Sequence, residues 1–539
     1  KGIHEPHKIT FLSDADASVQ YFMLIYPLDY DPKKQYSLRI YLHGGGDIAA
    51  ETMYIISPKD WAFILAPTNR RPMGWEWWDF ARFNIYESME LVIDKFPIDP
   101  NRIYLTGASN GGQGTWYNGL RDPSRFAALA PNCAWSSYSH HAPRFWDPGD
   151  MFAPPELLHY RDRMMYEFNN PAFVSNAGNI PVIASQGAED PVVSPMNQRL
   201  FLKISAMHNN EIVYREIPGK PHAWTEPLTA DGGGDFFDHP EINDFLRGKE
   251  RDQYPLEVRI RLCDLSVNDT FYWVCITEQY KKFSETILEA RIMGTKVRIE
   301  SSNVKCFTVE LNSALIPGDT ATIEWNRSVM PVRLDQCRTI TMGESCQHQD
   351  GRLQGPLKAA FYRPYLLVIG TAGNRHDNEI MLHNARTVAQ RSWRIANGYT
   401  RIVQDRDISD DLVRNCNLIL FGAPERNSFT ALAADSLPFQ ISDQAMTVGE
   451  RRLEGDISLE MVYPNPLNTE RLLALFAGTS AAAETLCTYF DPLHPGEPVP
   501  DFIIYSEDVK KYHWGGVQAA GFFSQNWDLD NNDYYIRPK

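Results

Sequence analysis

The first 250 residues predict an α/β fold. Short apolar segments alternate there with helical ones, a glycine-flanked serine lies between one such strand and the next helix, and acidic and histidine residues sit on later strand ends in an ordered way. Tyr21–Tyr26, Leu38–Leu42 and Trp61–Ala66 read as strands, being short, β-branched or aromatic, and bounded by turn residues. Ile85–Lys95 places Ile85, Met89 and Val92 at helical spacing. Arg102–Thr106 is the next strand and Gly111–Leu120 the helix after it, with Phe126–Pro131, Pro181–Ser185 and Glu211–Glu216 supplying later strands.

A charge-rich run at Arg247–Tyr254 ends this region. From 255 to 345 strands follow one another without helices: Leu256–Leu262, Phe271–Thr277, Thr286–Met293, Lys296–Ser301, Cys306–Leu311 and Thr320–Trp325, with turn signals at Asn268-Asp269 and Pro317-Gly318. The expectation is a small antiparallel β-sandwich. Residues 355–539 alternate again, with strands at Tyr365–Ile369, Leu418–Phe421, Leu472–Phe476 and Phe502–Tyr505 and a long helix at Glu379–Asn397, so a Rossmann- or flavodoxin-like α/β domain is expected. Its strand-end glycines, Gly370-Thr371-Ala372-Gly373 and Ala477-Gly478-Thr479-Ser480, match neither GxGxxG nor a P-loop, so they read as turns and no dinucleotide or other cofactor is expected.

The 539 residues carry a formal net charge of −16 and no basic stripe, which argues against nucleic acid as a partner. No apolar run is long enough for membrane insertion. Eight cysteines are too scattered for a disulfide framework; Cys337 and Cys346 are close enough to bridge or to be separate buried thiols. No Cys/His cluster has zinc-like spacing, so no metal is expected. The chain opens at Lys1, and a secreted or periplasmic location is the expectation.

The chemistry concentrates in Arg102–Gly112, where a strand runs through Gly107-Ala108-Ser109-Asn110-Gly111 into a helix. A serine at so sharp a turn exposes its hydroxyl, and glycines two residues either side let the flanking backbone close in. His43-Gly44-Gly45-Gly46 follows an earlier strand and can offer a backbone N–H at Gly45, beside that of Asn110, to a developing oxyanion. A serine nucleophile needs a base and an orienting acid. Asp190, with Glu189 as its neighbouring alternative, lies on the loop after Pro181–Ser185, and His222 lies in a Gly/Pro loop after the last strand. His140 and His141 precede the acid and break that order.

The run from Ile98 to Pro131 and the segment from Asn170 to Val193, ending QGAEDPVV, resemble the serine hydrolases related to prolyl oligopeptidase and the feruloyl and polyhydroxyalkanoate-depolymerase esterases. The resemblance covers residues 15 to 245 and implies an α/β-hydrolase domain, a Ser109–Asp190–His222 triad and an acyl-enzyme. Without a β-propeller ahead of the hydrolase or an acidic pair to hold a peptide N-terminus, a carboxylic-ester hydrolase is expected, acting on acetyl or feruloyl groups of plant polysaccharide. A serine peptidase and a non-catalytic binding or scaffold protein are the alternatives. Trp75, Trp77 and Trp78 are expected either to line the substrate pocket or to pack into the core, and Trp135–Met165 to form a lid. Oligomeric state is not legible.

Overall fold

The computed structural model describes residues 5–49, 56–71, 76–137, 148–224, 238–335, 338–343, 353–494, 496–497 and 499–538. The first region forms strands β1 (His7–Leu12), β2 (Val19–Ile25), β3 (Tyr36–Leu42), β4 (Ala62–Pro67), β5 (Ile98–Ala108), β6 (Ala128–Asn132), β7 (Val182–Gly187) and β8 (Ile212–Ile217). Its helices include α1 (Asp79–Lys95), α2 (Asn110–Arg121), α3 (Pro155–Tyr166), α4 (Met196–Met207) and α5 (Pro240–Arg247). The eight strands join in the order β1-β2-β4-β3-β5-β6-β7-β8. β2 runs antiparallel to β4, whereas β4, β3, β5, β6, β7 and β8 are mutually parallel. That order and polarity are those of an α/β-hydrolase. All seven residues of β3 are buried, as expected of a central strand covered on both faces. β1 was not foreseen; only alternate residues are shielded along it, the weak pattern of an edge strand.

Packing divides the chain into two compact units: Lys1–Phe11, Gln20–Pro143 and Tyr166–His348 form one, and Leu12–Val19, Arg144–Met165 and Gln349–Lys539 the other. The first unit also holds β9 (Glu257–Leu262), β10 (Thr270–Phe271), β11 (Val274–Gln279), β12 (Thr286–Met293), β13 (Lys296–Ser302), β14 (Val304–Glu310), β15 (Thr320–Trp325), β16 (Ser328–Arg333) and β17 (Thr339–Gly343). They make sheets ordered β10-β11-β14-β17 and β16-β15-β13-β12-β9. Leu288, Ala290, Val297 and Ile299 of one sheet share a core with Val274, Ile276, Phe307 and Val309 of the other. The region is not wholly antiparallel, because β13 and β15 pair in parallel. Between them the chain crosses to the other sheet as β14 and returns in the same direction. Cys306 on β14 is disulfide-bonded, with its partner outside the described residues, while Cys133, Cys263, Cys275, Cys416 and Cys487 are free thiols.

The second unit is built on β18 (Tyr365–Ile369), α6 (Arg375–Ala396), β19 (Arg401–Gln404), β20 (Asn417–Phe421), β21 (Phe439–Ser442), β22 (Ala445–Val448), β23 (Arg451–Glu454), β24 (Ser458–Asn465), β25 (Asn468–Gly478), β26 (Phe502–Tyr505), β27 (Val517–Gly521) and β28 (Tyr534–Ile536). Its main sheet has the order β19-β18-β20-β25-β24-β26-β27-β28. The first four strands are parallel, as a doubly wound domain requires, but β25, β24, β26, β27 and β28 pair antiparallel in turn. Half of the expected Rossmann-like pattern is therefore replaced by antiparallel strands. Asn374 starts α6 with a capping box, its side chain accepting from His376 and Asp377 while Asp377 reaches back.

Of the Trp135–Met165 segment expected to form a lid, residues 148–165 take part in this second unit, and 138–147 lie outside the described residues. Arg163 grips both carboxylate oxygens of Asp533 at 2.6 and 2.9 Å, and Asp150 accepts from Arg161 at 2.6 Å and from His513 at 2.8 Å. These partly buried charges are paired, which fixes residues 148–165 on C-terminal elements. His140 and His141 lie outside the described residues.

Burial pushes the Glu460 carboxyl on β24 up to about 8. The hydrogen bonds agree: the Tyr505 hydroxyl lies within reach of both Glu460 Oε1 and, at 2.9 Å, the Leu486 carbonyl oxygen. One hydroxyl proton serves both contacts only if Glu460 is protonated and donates to Tyr505. Such an acid stays protonated in the folded chain while the unfolded chain ionises near the ordinary 4.5. Its contribution is thus fully favourable below pH 4.5, declines as pH rises, and levels off above about 8. Glu460→Gln is expected to flatten the fall in Tm between pH 5 and 8, by an amount on the order of a few kcal/mol in stability. Thermal melts of both proteins at several pH values check this; identical slopes would contradict a protonated Glu460.

Candidate active site

Ser109 occupies the single residue between the end of β5 and the start of α2, with φ 56° and ψ −115°. A non-glycine residue there is strained by about 1–3 kcal/mol, which surrounding contacts must offset. They do so through Ser109 N–H, which donates to the Asn132 carbonyl at 2.9 Å, and through its own carbonyl, which accepts from Gln113 N–H at 3.0 Å. The turn is tight enough that neither flanking glycine tolerates a side chain. A Cβ on Gly107 would lie 2.3 Å from the Gly111 carbonyl oxygen, and one on Gly111 1.8 Å from that of Leu42.

The structure brings His222 and Asp190 to this serine. His222 Nε2 is 2.9 Å from Ser109 Oγ and its Nδ1 2.7 Å from Asp190 Oδ2. The carboxylate accepts only, so Nδ1 carries the proton, and the Nε2 lone pair of neutral His222 faces the serine hydroxyl. Asp190 is itself held rigidly. Oδ1 accepts from the N–H groups of Val192 and Val193 at 2.8 and 2.9 Å, and Oδ2 from Gln186 Nε2 at 2.7 Å. Its side chain is fully buried, whereas His222 keeps 19% of its side-chain surface exposed. Glu189, the alternative acid, points to solvent.

The glycine loop after β3 adjoins Ser109: a Cβ on Gly44 would lie 3.7 Å from Ser109 Cβ, and one on Gly45 3.8 Å from Asn110 Cβ. Asn110 opens α2, where backbone N–H groups have no partner inside the helix and the helix dipole is positive. His43 is fully buried, with Nδ1 2.9 Å from the Gly44 carbonyl, and burial lowers its pKa, so it stays neutral beside the loop.

Of the three tryptophans, Trp75 lies outside the described residues. Trp77 and Trp78 are 0% and 1% exposed, so the pocket-lining expectation is corrected for both. Trp77 donates from Nε1 to the His43 carbonyl at 3.2 Å and packs edge-on against its ring at 4.9 Å. Trp78 packs on Phe168 at 4.3 Å and edge-on to Trp135. Trp77 therefore acts on the site indirectly, by propping the loop that bears Gly44 and Gly45.

Two neighbours of the site went unread in the sequence. Gln186, the penultimate residue of β7, anchors Asp190, a role its position on the strand end before the acid loop could have signalled. Cys133, directly after β6 with φ 45°, has its Sγ within 4.8 Å of ligand atoms of Asp190 and His222. It is the one such His/Cys/carboxylate cluster among the described residues, but both other members are already bonded to each other. Burial pushes the Cys133 thiol up, so it stays a neutral neighbour.

No family model matches the chain. Among curated proteins, an uncharacterized secreted protein of Arthroderma benhamiae is 25% identical over 538 residues, covering 92% of this chain and 55% of its own length, so the chain spans about half of that relative. Among solved structures, a thermostable esterase aligns with a TM-score of 0.33 and 21% identity over 46% of this chain and 64% of its own. A ferulic acid esterase from Anaeromyces mucronatus aligns with a TM-score of 0.30 and 17% identity over 44% of this chain and 91% of its own.

Proposed function

We propose that the chain is a serine hydrolase that cleaves carboxylic esters through an acyl-Ser109 intermediate. The observation that carries this reading is the relay of Ser109 Oγ, His222 and Asp190, at 2.9 and 2.7 Å, behind a strained strand-to-helix turn. Ser109 attacks the ester carbonyl as His222 Nε2 takes its proton. The oxyanion forms against the N–H groups of Gly45 and Asn110, and Asp190 stabilises the imidazolium. His222 then gives the proton to the departing alcohol. Water enters by the reverse route, His222 again acting as base, and releases the acid.

The substrate we propose is an acetyl or feruloyl ester on plant polysaccharide, met outside the cell. The disulfide at Cys306 suits an oxidising compartment, and the curated relative is described as secreted. No helix among the described residues is long and apolar enough to cross a membrane. The test is turnover of 4-nitrophenyl acetate, methyl ferulate, acetylated xylan and a prolyl peptide. Ester cleavage without peptide cleavage is expected; the opposite pattern would replace the esterase with a peptidase, and no turnover with no fluorophosphonate labelling would leave a binding protein.

The two adjacent acids give a sharper check. Asp190→Asn is expected to lower kcat about 10⁴-fold, because an amide in place of the carboxylate favours the wrong imidazole tautomer. Glu189→Gln should change it by no more than about twofold, as for an exposed substitution away from the chemistry. Equal losses in the two variants would remove Asp190 from the role.

A further inference from the structure

Apart from the triad, the first unit contains a polar cavity of about 480 Å³, lined by residues of α1, of the turn after α2, and of the β9–β17 region. Ser109 caps one end of α2 and Asp122 the other, so at 1.5 Å per residue the cavity lies roughly 20 Å from the nucleophile. It is therefore separate from the site of ester cleavage.

Its charge is unusual for so acidic a chain. Arg82, Arg125 and Arg251 face it together with one carboxylate, Asp122. Arg125 spends its charge on Glu90 at 2.9 Å and on Asp122 at 3.8 Å. Arg82 and Arg251 form no ion pair with any described residue. Neutral groups hold them in place instead. Arg82 donates to the Val267 carbonyl and lies 4.5 Å over the Tyr86 ring. Arg251 donates to the Ser124 carbonyl at 2.9 Å and to Asn101 Oδ1 at 3.2 Å. The Nε–H of each is buried and has no acceptor. Two guanidinium groups are thus held in place without a direct ion pair, Arg82 sensing Asp122 and Glu167 only from a distance, and each keeps a buried Nε–H with no acceptor, which suits an arginine site for a carboxylate.

The remaining lining narrows the ligand. Tyr86 and Tyr272 bring aromatic rings, and the Tyr272 hydroxyl is already committed to the Asn179 carbonyl at 2.8 Å, so its ring is what it offers. Asp122 can accept from a ligand hydroxyl, as it already does from Ser124 Oγ at 3.1 Å. Burial raises its pKa, while Arg82 and Arg125 pull it the other way.

We propose that this cavity binds an acidic sugar, its carboxylate between Arg82 and Arg251 and a ring hydroxyl on Asp122, as an anchoring site distinct from the triad. The β9–β17 region then serves to complete a docking site for a carboxylated glycan.

The test is calorimetric titration of the full chain with tri-galacturonate, alongside neutral tri-galactose and inorganic phosphate. Binding of tri-galacturonate with Kd of order 1 mM or tighter is expected. Arg251→Gln and Arg82→Gln should each weaken it about tenfold or more, with Tm and hydrolysis of 4-nitrophenyl acetate retained. Ser109→Ala should leave binding unchanged, which locates it away from the nucleophile. The proposal fails if tri-galacturonate does not bind, if tri-galactose or phosphate binds as tightly, or if both arginine variants bind like the wild type while remaining folded.

Discussion

Ser109→Ala is expected to reduce ester turnover roughly a million-fold while leaving the fold intact. The hydroxyl's hydrogen bond is to His222 Nε2 at 2.9 Å, and the backbone contacts that hold the turn come from Ser109 N–H and C=O, which alanine keeps. Alanine meets the same strain at φ 56° as serine does, so thermal stability should scarcely move. What is lost is the bond-forming atom. A residual acceleration of about 10³–10⁴ over water should persist, supplied by the N–H groups near Gly45 and Asn110 and by substrate binding. His222→Ala should cost nearly as much, and the double variant little more than either alone, since base and nucleophile act as one unit. Steady-state kinetics on 4-nitrophenyl acetate with matched melting curves decides the matter. A Ser109→Ala enzyme that kept about a hundredth of wild-type turnover, far above that residual, would sink the acyl-enzyme reading.

The site was largely legible because its demands are local. A serine between a strand and a helix with glycines two residues away, an acid after one strand and a histidine after the next are features of chain order, and the close backbone approach at Gly107 and Gly111 explains the glycines. The identity of the acid was less legible. Asp190 and Glu189 differ only in the direction the loop sends them, which the N–H groups of Val192 and Val193 decide by capturing Asp190. Trp77 and Trp78 show a different limit. A large aromatic residue has the same pattern whether it faces a pocket or fills a core, and only packing against His43 and Phe168 separates the two. Strand direction was equally hidden: Leu472–Phe476 and Phe502–Tyr505 are continuous apolar runs that suit a parallel or an antiparallel partner, and β26 pairs antiparallel with β24. β16 escaped notice because Pro331 and alternating exposure mark it as an edge.

Gly111→Ala is expected to cost the first unit more stability than any conservative change near the site. Gly111 is the second residue of α2, and its added methyl would lie 1.8 Å from the Leu42 carbonyl oxygen, 2.4 Å from that carbonyl carbon and 2.7 Å from the His43 carbonyl oxygen. All three are backbone atoms at the end of β3, a strand buried along its whole length, so no side-chain rotation relieves the clash. α2 must move away from β3 by more than about 1 Å, and in a close-packed core the displacement propagates. Ordinary overpacking costs about 1–3 kcal/mol, and a backbone clash on this scale should exceed that, against a total of about 5–15 kcal/mol for a domain. A Tm lower by about 10 °C, or loss of soluble protein, is the expected result. The same movement separates Asn110 from the Gly44–Gly45 loop, so fluorophosphonate labelling of Ser109 should slow even in protein that remains folded. Gly294→Ala is the control, since φ is +64° there and nothing lies within 4 Å of the new methyl. It carries backbone strain of about 1–2 kcal/mol and no clash. If Gly111→Ala melted no lower than Gly294→Ala and labelled at the wild-type rate, close approach of α2 to β3 could not be the reason for glycine in this turn.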